Sequence, residues 1–475
     1  MDRVRIGNGC GFWGDNLDAP ARLARTGRLH YLTLEYLAEL TMSILALIKA
    51  KDANAGYATD FIDVLHSLAP TLREQPHLKI VTNAGGMNPH ACARAAQAAL
   101  AKAGLTKRIA VVSGDDLYPR LDELFAAGHA LNHLDNGAPL STIRDKVVSA
   151  NAYLGAKPIA EALKLGAEIV ITGRVADASL TVGPAAHEFG WGFGESDLDR
   201  LAAGTVAGHL IECGAQATGG LWVNADATTR LEDVGYPIAE IAADGTFTVS
   251  KPANTGGAVN VETVAEQLLY EVGDPARYFT PDVVADFTTV KLSQLGADVV
   301  GVTGGTANGL TDTYKVSVSY RDGFASAGTL VITGPNAVAK ARASGAIILE
   351  KLKAAGFAFA HSYVEVIGAG DVVPGVLPKA EPPSVSFDPA TRPFSAGRAG
   401  SNETDFPKEV VMRVAVRDPR KAAVERFTKE FAPLVTSGFA GTTGYTVGRP
   451  PVREVFAYWP ALIAKSAVAP KVEVL

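Results

Sequence analysis

The chain has 475 residues, 47% hydrophobic and 20% charged, with 48 glycines, 26 prolines and a formal net charge of −6. That length and composition predict two folded domains with many tight turns, and they exclude a disordered chain and, lacking a basic block, a nucleic-acid binder. No apolar run reaches the roughly 18–20 residues of a membrane span, no leader-like stretch is read at Met1–Ile6, and the widely spaced Cys10, Cys92 and Cys213 read as reduced thiols of a cytoplasmic protein.

Five strand-like runs each end abruptly in polar or glycine residues. Val4-Arg5-Ile6 runs into Gly7-Asn8-Gly9, and Ile80-Val81-Thr82 into Asn83-Ala84-Gly85-Gly86. Ile109–Val112 runs into Ser113-Gly114-Asp115-Asp116, Val147–Ala150 into Asn151, and Ile169-Val170-Ile171 into Thr172-Gly173-Arg174. Helical patterns lie between them at Leu34–Leu45, Pro89–Ala103 and Lys157–Gly166. Strands alternating with helices predict an α/β fold, a mostly parallel sheet with flanking helices over the N-terminal two thirds. In such a sheet ligands bind in the crevice outside the carboxyl ends of the strands, where these five tips would converge.

Residues 178–287 are glycine-rich, with one clear helix from Val261 to Val272. Beyond them, Tyr314–Tyr320 alternates with period two, and a turn at Arg321-Asp322-Gly323 with a return through Gly328–Ile332 predicts a β-hairpin. A helix over Asn336–Ala355 and a strand over Ser362–Ile367 follow, then a Pro-rich linker, a strand at Glu409–Val416 and a helix at Pro419–Val435. The expected division is an α/β catalytic domain over 1–290, an α+β region over 291–370, a linker over 371–405 and a C-terminal α+β region over 406–475.

The glycine-rich loop after the first strand, Gly7–Asp15, lacks a GxGxxG opening a helix, so it is no dinucleotide fingerprint. Close approach of Asn8 and Gly9 to a ligand and a plain set of tight turns remain equal readings. Asn83, Gly85 and Gly86 stand before Pro89 at a helix start, where free backbone donors suit a carboxylate or phosphate. Thr255 and Gly256, before the helix bearing Glu266 and Gln267, form a second such cradle. Asp115 and Asp116 could share a proton or hold a divalent metal; alternatively one caps a helix and the other faces water. Arg174 is the candidate to fork onto an anionic substrate with Asp177 orienting it, against an internal Arg174–Asp177 pair. The densest polar stretch is Gly208–Gly220, which holds His209, Glu212, Cys213 and Gln216. There His209 or Glu212 is read as a general acid or base, and Cys213 either as a nucleophile beside an imidazole or as a small buried hydrophobe. Tyr270 and Tyr278 read as structural.

Gly7–Asp15, Thr82–Pro89, Thr172–Asp177, Glu212–Gly220 and Glu266–Glu271, in this order, resemble the motifs of the AtuA, or acyclic terpene utilisation, family. The end of the chain resembles the ferredoxin-like domain that accompanies it. The resemblance implies a setting beside acyl-CoA carboxylases, enoyl-CoA hydratases and acyl-CoA dehydrogenases that degrade branched isoprenoid acids. The expectation is therefore an enzyme acting on a branched acyl-CoA or related carboxylic acid, a lyase or hydratase, with CoA present only as part of the substrate. A hydrolase using Cys213 and a non-catalytic subunit of an acyl-CoA enzyme are the alternatives. A homodimer or higher homo-oligomer is expected to cover the hairpin edge around Arg321-Asp322-Gly323.

Overall fold

The short apolar runs become strands because their alternate side chains can enter two different cores. The computed structural model describes residues 2–373, 375, 407–445 and 448–475, and these form two units, Met1–Tyr320 with Tyr458–Leu475, and Arg321–Ala457. The first unit contains β1 (Arg3–Asn8), β2 (Tyr31–Leu34), β3 (Lys79–Thr82), β4 (Ile109–Ser113), β5 (Val147–Ala152), β6 (Ile169–Thr172), β7 (Ile238–Ala242) and β8 (Phe247–Ser250). Its helices are α1 (Ala19–Thr26), α2 (Glu39–Lys51), α3 (Asp60–Glu74), α4 (Pro89–Lys102), α5 (Leu121–Ala126), α6 (Lys157–Lys164), α7 (Ser179–Phe189), α8 (Leu198–Glu212) and α9 (Val261–Leu269).

Five strands in the order β1-β2-β3-β6-β4 are parallel. The sheet is mixed, not mostly parallel. On the β1 side it continues antiparallel through β7, β8, Val299–Thr303 and Lys291–Gly296, and Lys471–Val474 adds antiparallel to β4. The reason is connection length: helices separate the parallel strands, whereas only a short turn separates β7 from β8. β5 is the exception among the five expected strands. It pairs antiparallel with Val316–Tyr320, outside the ten-stranded sheet.

The alternation of the central strands is explicit. Ile80, Val111, Ile169 and Ile171 pack with Leu23, Leu45, Phe61 and Leu68 of α1–α3, while Val81, Val112 and Val170 face Ile159, Val182 and Val206 of α6–α8. The helix expected from Leu34 starts only at Glu39. Tyr31–Leu34 is wholly buried as β2 between β1 and β3, so strand pairing overrides the helical spacing. Helix α8 is buried from Leu201 to Ile211. A Cβ at Gly208 would lie 2.6 Å from Ala178 Cα, so α8 rides directly on the backbone at the start of α7.

The hairpin is a correction. Thr313–Thr333 is one strand, and Arg321-Asp322-Gly323 lies within it. Its pairing partners are distant in sequence: Val316–Ser319 lies against Ala152–Ser149, and Phe324–Thr333 against Asp418–Glu409. The expected dimer thus loses the hairpin edge it rested on. In the second unit Glu409–Asp418 also pairs antiparallel with His361–Ile367. Helices α10 (Ala337–Ala354), α11 (Lys421–Phe427) and α12 (Leu434–Ser437) belong to this α+β unit. The single helix expected over Pro419–Val435 is two, since Pro433 would remove a donor and clash within a continuous helix. Leu330, Ile348, Met412, Val414 and Phe427 form the unit's core. The linker expected over 371–405 lies outside the described residues but for 371–373 and 375. Among the described residues no helix is long and apolar enough to cross a membrane.

Candidate active site

A cavity of about 740 Å³ opens where the segments leave β1, β2, β5 and β6, a size that suits a small-molecule ligand. Asp15 follows β1, Glu35 and Glu39 follow β2, Tyr153 follows β5, and Arg174 and Asp177 follow β6. The carboxyl end of α8 adds His209 and Glu212, with Cys213 and Gln216 just beyond. Phe12, Leu221 and Phe279 also line it and are exposed, giving the polar cavity an apolar rim.

Arg174 is inside the wall and is not the expected free clamp. It is 2% exposed, its Nη1 lies 3.0 Å from Asp177 Oδ1 and donates to Leu37 O at 2.6 Å, and its guanidinium lies 4.1 Å from the centre of the Tyr153 ring. The internal pair is therefore the arrangement the structure holds. It ties the β6 tip to the segment after β2, and Tyr153 OH carries the network to Glu39 Oε1 at 2.6 Å. Burial works against Glu39, but Tyr153, Arg174 and Lys315 outweigh it and hold the carboxyl down at about 2. Lys315 Nζ lies 3.4 Å from the same Glu39 oxygen.

Glu35 is a second carboxyl near Arg174, its Oε1 3.9 Å from the same Nη1. Burial, with Asp177 nearby, pushes its carboxyl well above the usual carboxylate range, against the pull of Arg174 and the Asn83 hydrogen bond. Burial also raises Asp177, with Arg174 opposing.

His209 Nδ1 lies 3.0 Å from Glu212 Oε1. Burial pushes Glu212 up to about 7 although His209 draws it down. For His209 burial acts downward, and the Glu212 charge reverses the direction to a raised value. The two groups are electrostatically linked, each shifting the other, and Glu212 Oε2 is buried without a partner. Gln267 Nε2 donates to His209 O at 2.9 Å and steadies the helix there. Cys213 borders the cavity, but burial and then Glu212 push its thiol up to about 12. Such a thiol stays protonated at neutral pH, the opposite of an activated nucleophile.

The remaining expected residues support the wall or lie away from it. Asn8 Nδ2 donates to Ile211 O and Glu212 O. Gly9 lets the loop pass Pro20, with a Cβ at 2.9 Å from its Cα. Asp115 and Asp116 make separate contacts: Asp116 caps the turn that follows, as the alternative reading had it, whereas Asp115 is buried and does not face water, and the Asp116 charge adds to the burial that raises Asp115. Asp115 Oδ2 accepts from Asn151 Nδ2 and Arg174 N, and burial still pushes it up to about 6. Asp116 bonds Tyr118 N and lies 3.9 Å from Lys49 Nζ. Among the described residues no group of three or more His, Cys, Asp or Glu is arranged to hold a metal ion.

Both anion cradles are corrected as well. In the first, Gly86 N, Met87 N and Asn88 N donate to Asn83 O, Gly56 O and Gly85 O. A Cβ on Gly85 would fall 2.4 Å from Thr172 O, so the turn is packed solid. In the second, Gly256 N and Gly257 N donate to Asp233 O and Thr229 O, and Thr255 Oγ1 donates to Pro252 O.

Glu35, Glu39, Tyr153, Lys315, Asp15 and Glu271 are among the lining residues that the sequence reading missed. For Glu35 a partial signal was present, since His30–Leu34 followed by Glu35 has the apolar-run-to-polar-tip form of the five tips, but the helical spacing of Leu34–Leu45 masks it. Tyr270 and Tyr278, read as structural, line the cavity, and the His209 ring lies 5.6 Å from that of Tyr278. Lys315 had no local signal, because the first part of its long strand reaches the site by pairing with β5.

No curated protein and no solved structure matches the chain. A family model does, that of the acyclic terpene utilisation family protein AtuA over residues 4–474, and the chain, carrying this cavity at the carboxyl edge of its sheet, belongs to the AtuA family.

Proposed function

We propose that the protein is an enzyme of isoprenoid breakdown, a lyase or hydratase that acts on a branched acyl-CoA or related carboxylic acid in this cavity. The observation that carries the reading is the His209–Glu212 pair, 3.0 Å apart at the cavity wall with one Glu212 oxygen buried and unpartnered and its carboxyl pushed up to about 7. Moving a proton beside a carbonyl needs a positioned base of that strength. Glu212 Oε2 is the base, and His209 takes up or returns charge as Glu212 titrates. Phe12, Leu221 and Phe279 at the mouth suit a branched hydrocarbon chain, and the family's name agrees with a terpene-derived one. Soluble thioesters of branched unsaturated acids, incubated in heavy water and followed by NMR, test this. Deuterium uptake beside the carbonyl or hydration of the double bond is expected, and either should vanish in Glu212→Gln. A native protein that does neither with any such thioester would end this reading.

A further inference from the structure

The protein leaves one oxygen of the buried Glu35 carboxyl for a ligand. Oε1 accepts from Leu37 N at 2.8 Å and from Asn83 Nδ2, and Arg174 Nη1 lies 3.9 Å from it. Asn83 is held in this orientation because its Oδ1 accepts from Tyr36 N at 2.8 Å. Oε2 is buried and has no partner, although Glu35 is 4% exposed and lines the cavity. In its protonated form this carboxyl carries the proton on Oε2, because Oε1 already accepts from Leu37 N and Asn83 Nδ2. The unpartnered atom is thus a donor that a ligand can satisfy.

The charges around it decide what kind of ligand. Asp15, Glu39, Asp177, Glu212 and Glu271 also line the cavity. Its three basic side chains are already committed, Arg174 to Asp177, Lys315 to Glu39 and His209 to Glu212. A free carboxylate entering here would be one more anion without a cation to meet it, which is costly in a partly dry site. A neutral carbonyl would instead give Glu35 the acceptor it lacks.

Resting on the reading of this cavity as an active site, we infer that the substrate presents an uncharged carbonyl, that of a thioester and not a free carboxylate, and that Glu35 Oε2 donates a hydrogen bond to it. Burial raises the Glu35 carboxyl and so favours its protonated form, the form this contact requires. The thioester of an acyl-CoA, with its acyl chain toward the apolar rim, has this chemistry.

The test is equilibrium binding to the full chain at neutral pH, read by ligand-observed NMR without turnover. The probes are the N-acetylcysteamine thioester of dimethylacrylic acid and dimethylacrylate itself. The thioester is expected to bind at least about tenfold more tightly than the acid. Glu35→Gln, whose amide can accept at one atom and donate at the other, should stay within about threefold of the native affinity, and Glu35→Ala should lose about tenfold. The inference is overturned if the acid binds as well as the thioester, if neither binds, or if Glu35→Ala binds the thioester like the native protein. Should the alanine variant fail to fold, the thioester-to-acid ratio on native protein still decides. Thioester binding without exchange or hydration would count against the lyase or hydratase reading alone, and acid preference with turnover intact would count against this inference alone.

Discussion

Asn8 and Glu212 are joined across the edge of the sheet: Asn8 Nδ2 donates to the main-chain carbonyls of Ile211 at 2.6 Å and Glu212 at 2.8 Å. These are terminal carbonyls of α8, which have no partner within the helix. The tip of β1 therefore caps the helix end that carries the His209–Glu212 pair. Gly11 completes the contact, because a Cβ there would lie 2.7 Å from Cys213 C.

Removing that cap should disturb both stability and the site. Asn8→Ala removes the side-chain donor from the Glu212 carbonyl and one of the two donors of the Ile211 carbonyl, a cost of about 1–3 kcal/mol. Asn8→Asp should be worse, since a carboxylate would then face two carbonyl oxygens. Chemical denaturation gives the stability, and turnover of a branched thioester gives the effect on the site. A native-like midpoint for Asn8→Asp would show that the cap contributes nothing.

Arg174 is expected to behave as a buried structural ion. Arg174→Ala leaves Asp177, whose side chain is about a third exposed, without its cation, and losing this charged hydrogen bond costs about 1.5–3 kcal/mol. Arg174→Lys should recover only part of this, because an ammonium cannot reproduce both the Leu37 carbonyl bond and the flat contact with Tyr153. Guanidinium chloride unfolding of the two variants and of Asp177→Asn checks the order. Unchanged stability in Arg174→Ala, together with lost ligand binding, would return Arg174 to the role of substrate clamp.

Local pattern placed Asp177, which follows a clear strand, and polar density singled out His209, Glu212, Cys213 and Gln216, although helix α8, buried all round, shows no amphipathic period. Local pattern was insufficient at Glu35, where Leu34–Leu45 also has helical spacing and only pairing with β1 and β3 makes Tyr31–Leu34 a strand. Glycine-rich turns misled for a related reason. The turn at Asn83–Asn88 looks like a row of free donors, but Gly56 O, far back in the chain, takes one of them. The Arg321-Asp322-Gly323 turn signal failed likewise, since the distant β5 and Glu409–Asp418 hold that strand extended. Elements set by neighbours in sequence were legible, and those set by long-range pairing were not.

Cys213→Ser should retain most activity. A thiol pushed up to about 12 is essentially all protonated at neutral pH and supplies no thiolate. Serine keeps the size and a weak donor beside Gln267, so the change in turnover should be less than about threefold, worth under about 0.7 kcal/mol. Alkylation by iodoacetamide should also be slow relative to an exposed thiol. Near-complete loss of turnover in the serine variant, with normal folding, would restore the covalent hydrolase reading.

The last prediction is the pH dependence set by Glu212. Its carboxyl is held at about 7, so the base form is the minority below that pH and dominates above it. Turnover should therefore rise with pH along a limb centred near 7, and Glu212→Gln should abolish activity instead of shifting the limb. Stability moves the opposite way. A folded value above the ordinary 4.5 means that the folded chain holds this proton more tightly than the unfolded chain. The resulting stabilisation is fully present below 4.5 and is lost as pH rises through about 7. His209 takes part because its own value is raised by the same charge, so the pair titrates as a unit and the limb belongs to both. Thermal melts across that interval should show native Tm falling relative to Glu212→Gln, whose neutral amide has no such transition. A native profile in which activity is flat through neutral pH, or in which Tm relative to Glu212→Gln rises across the interval, would remove Glu212 from the role of base.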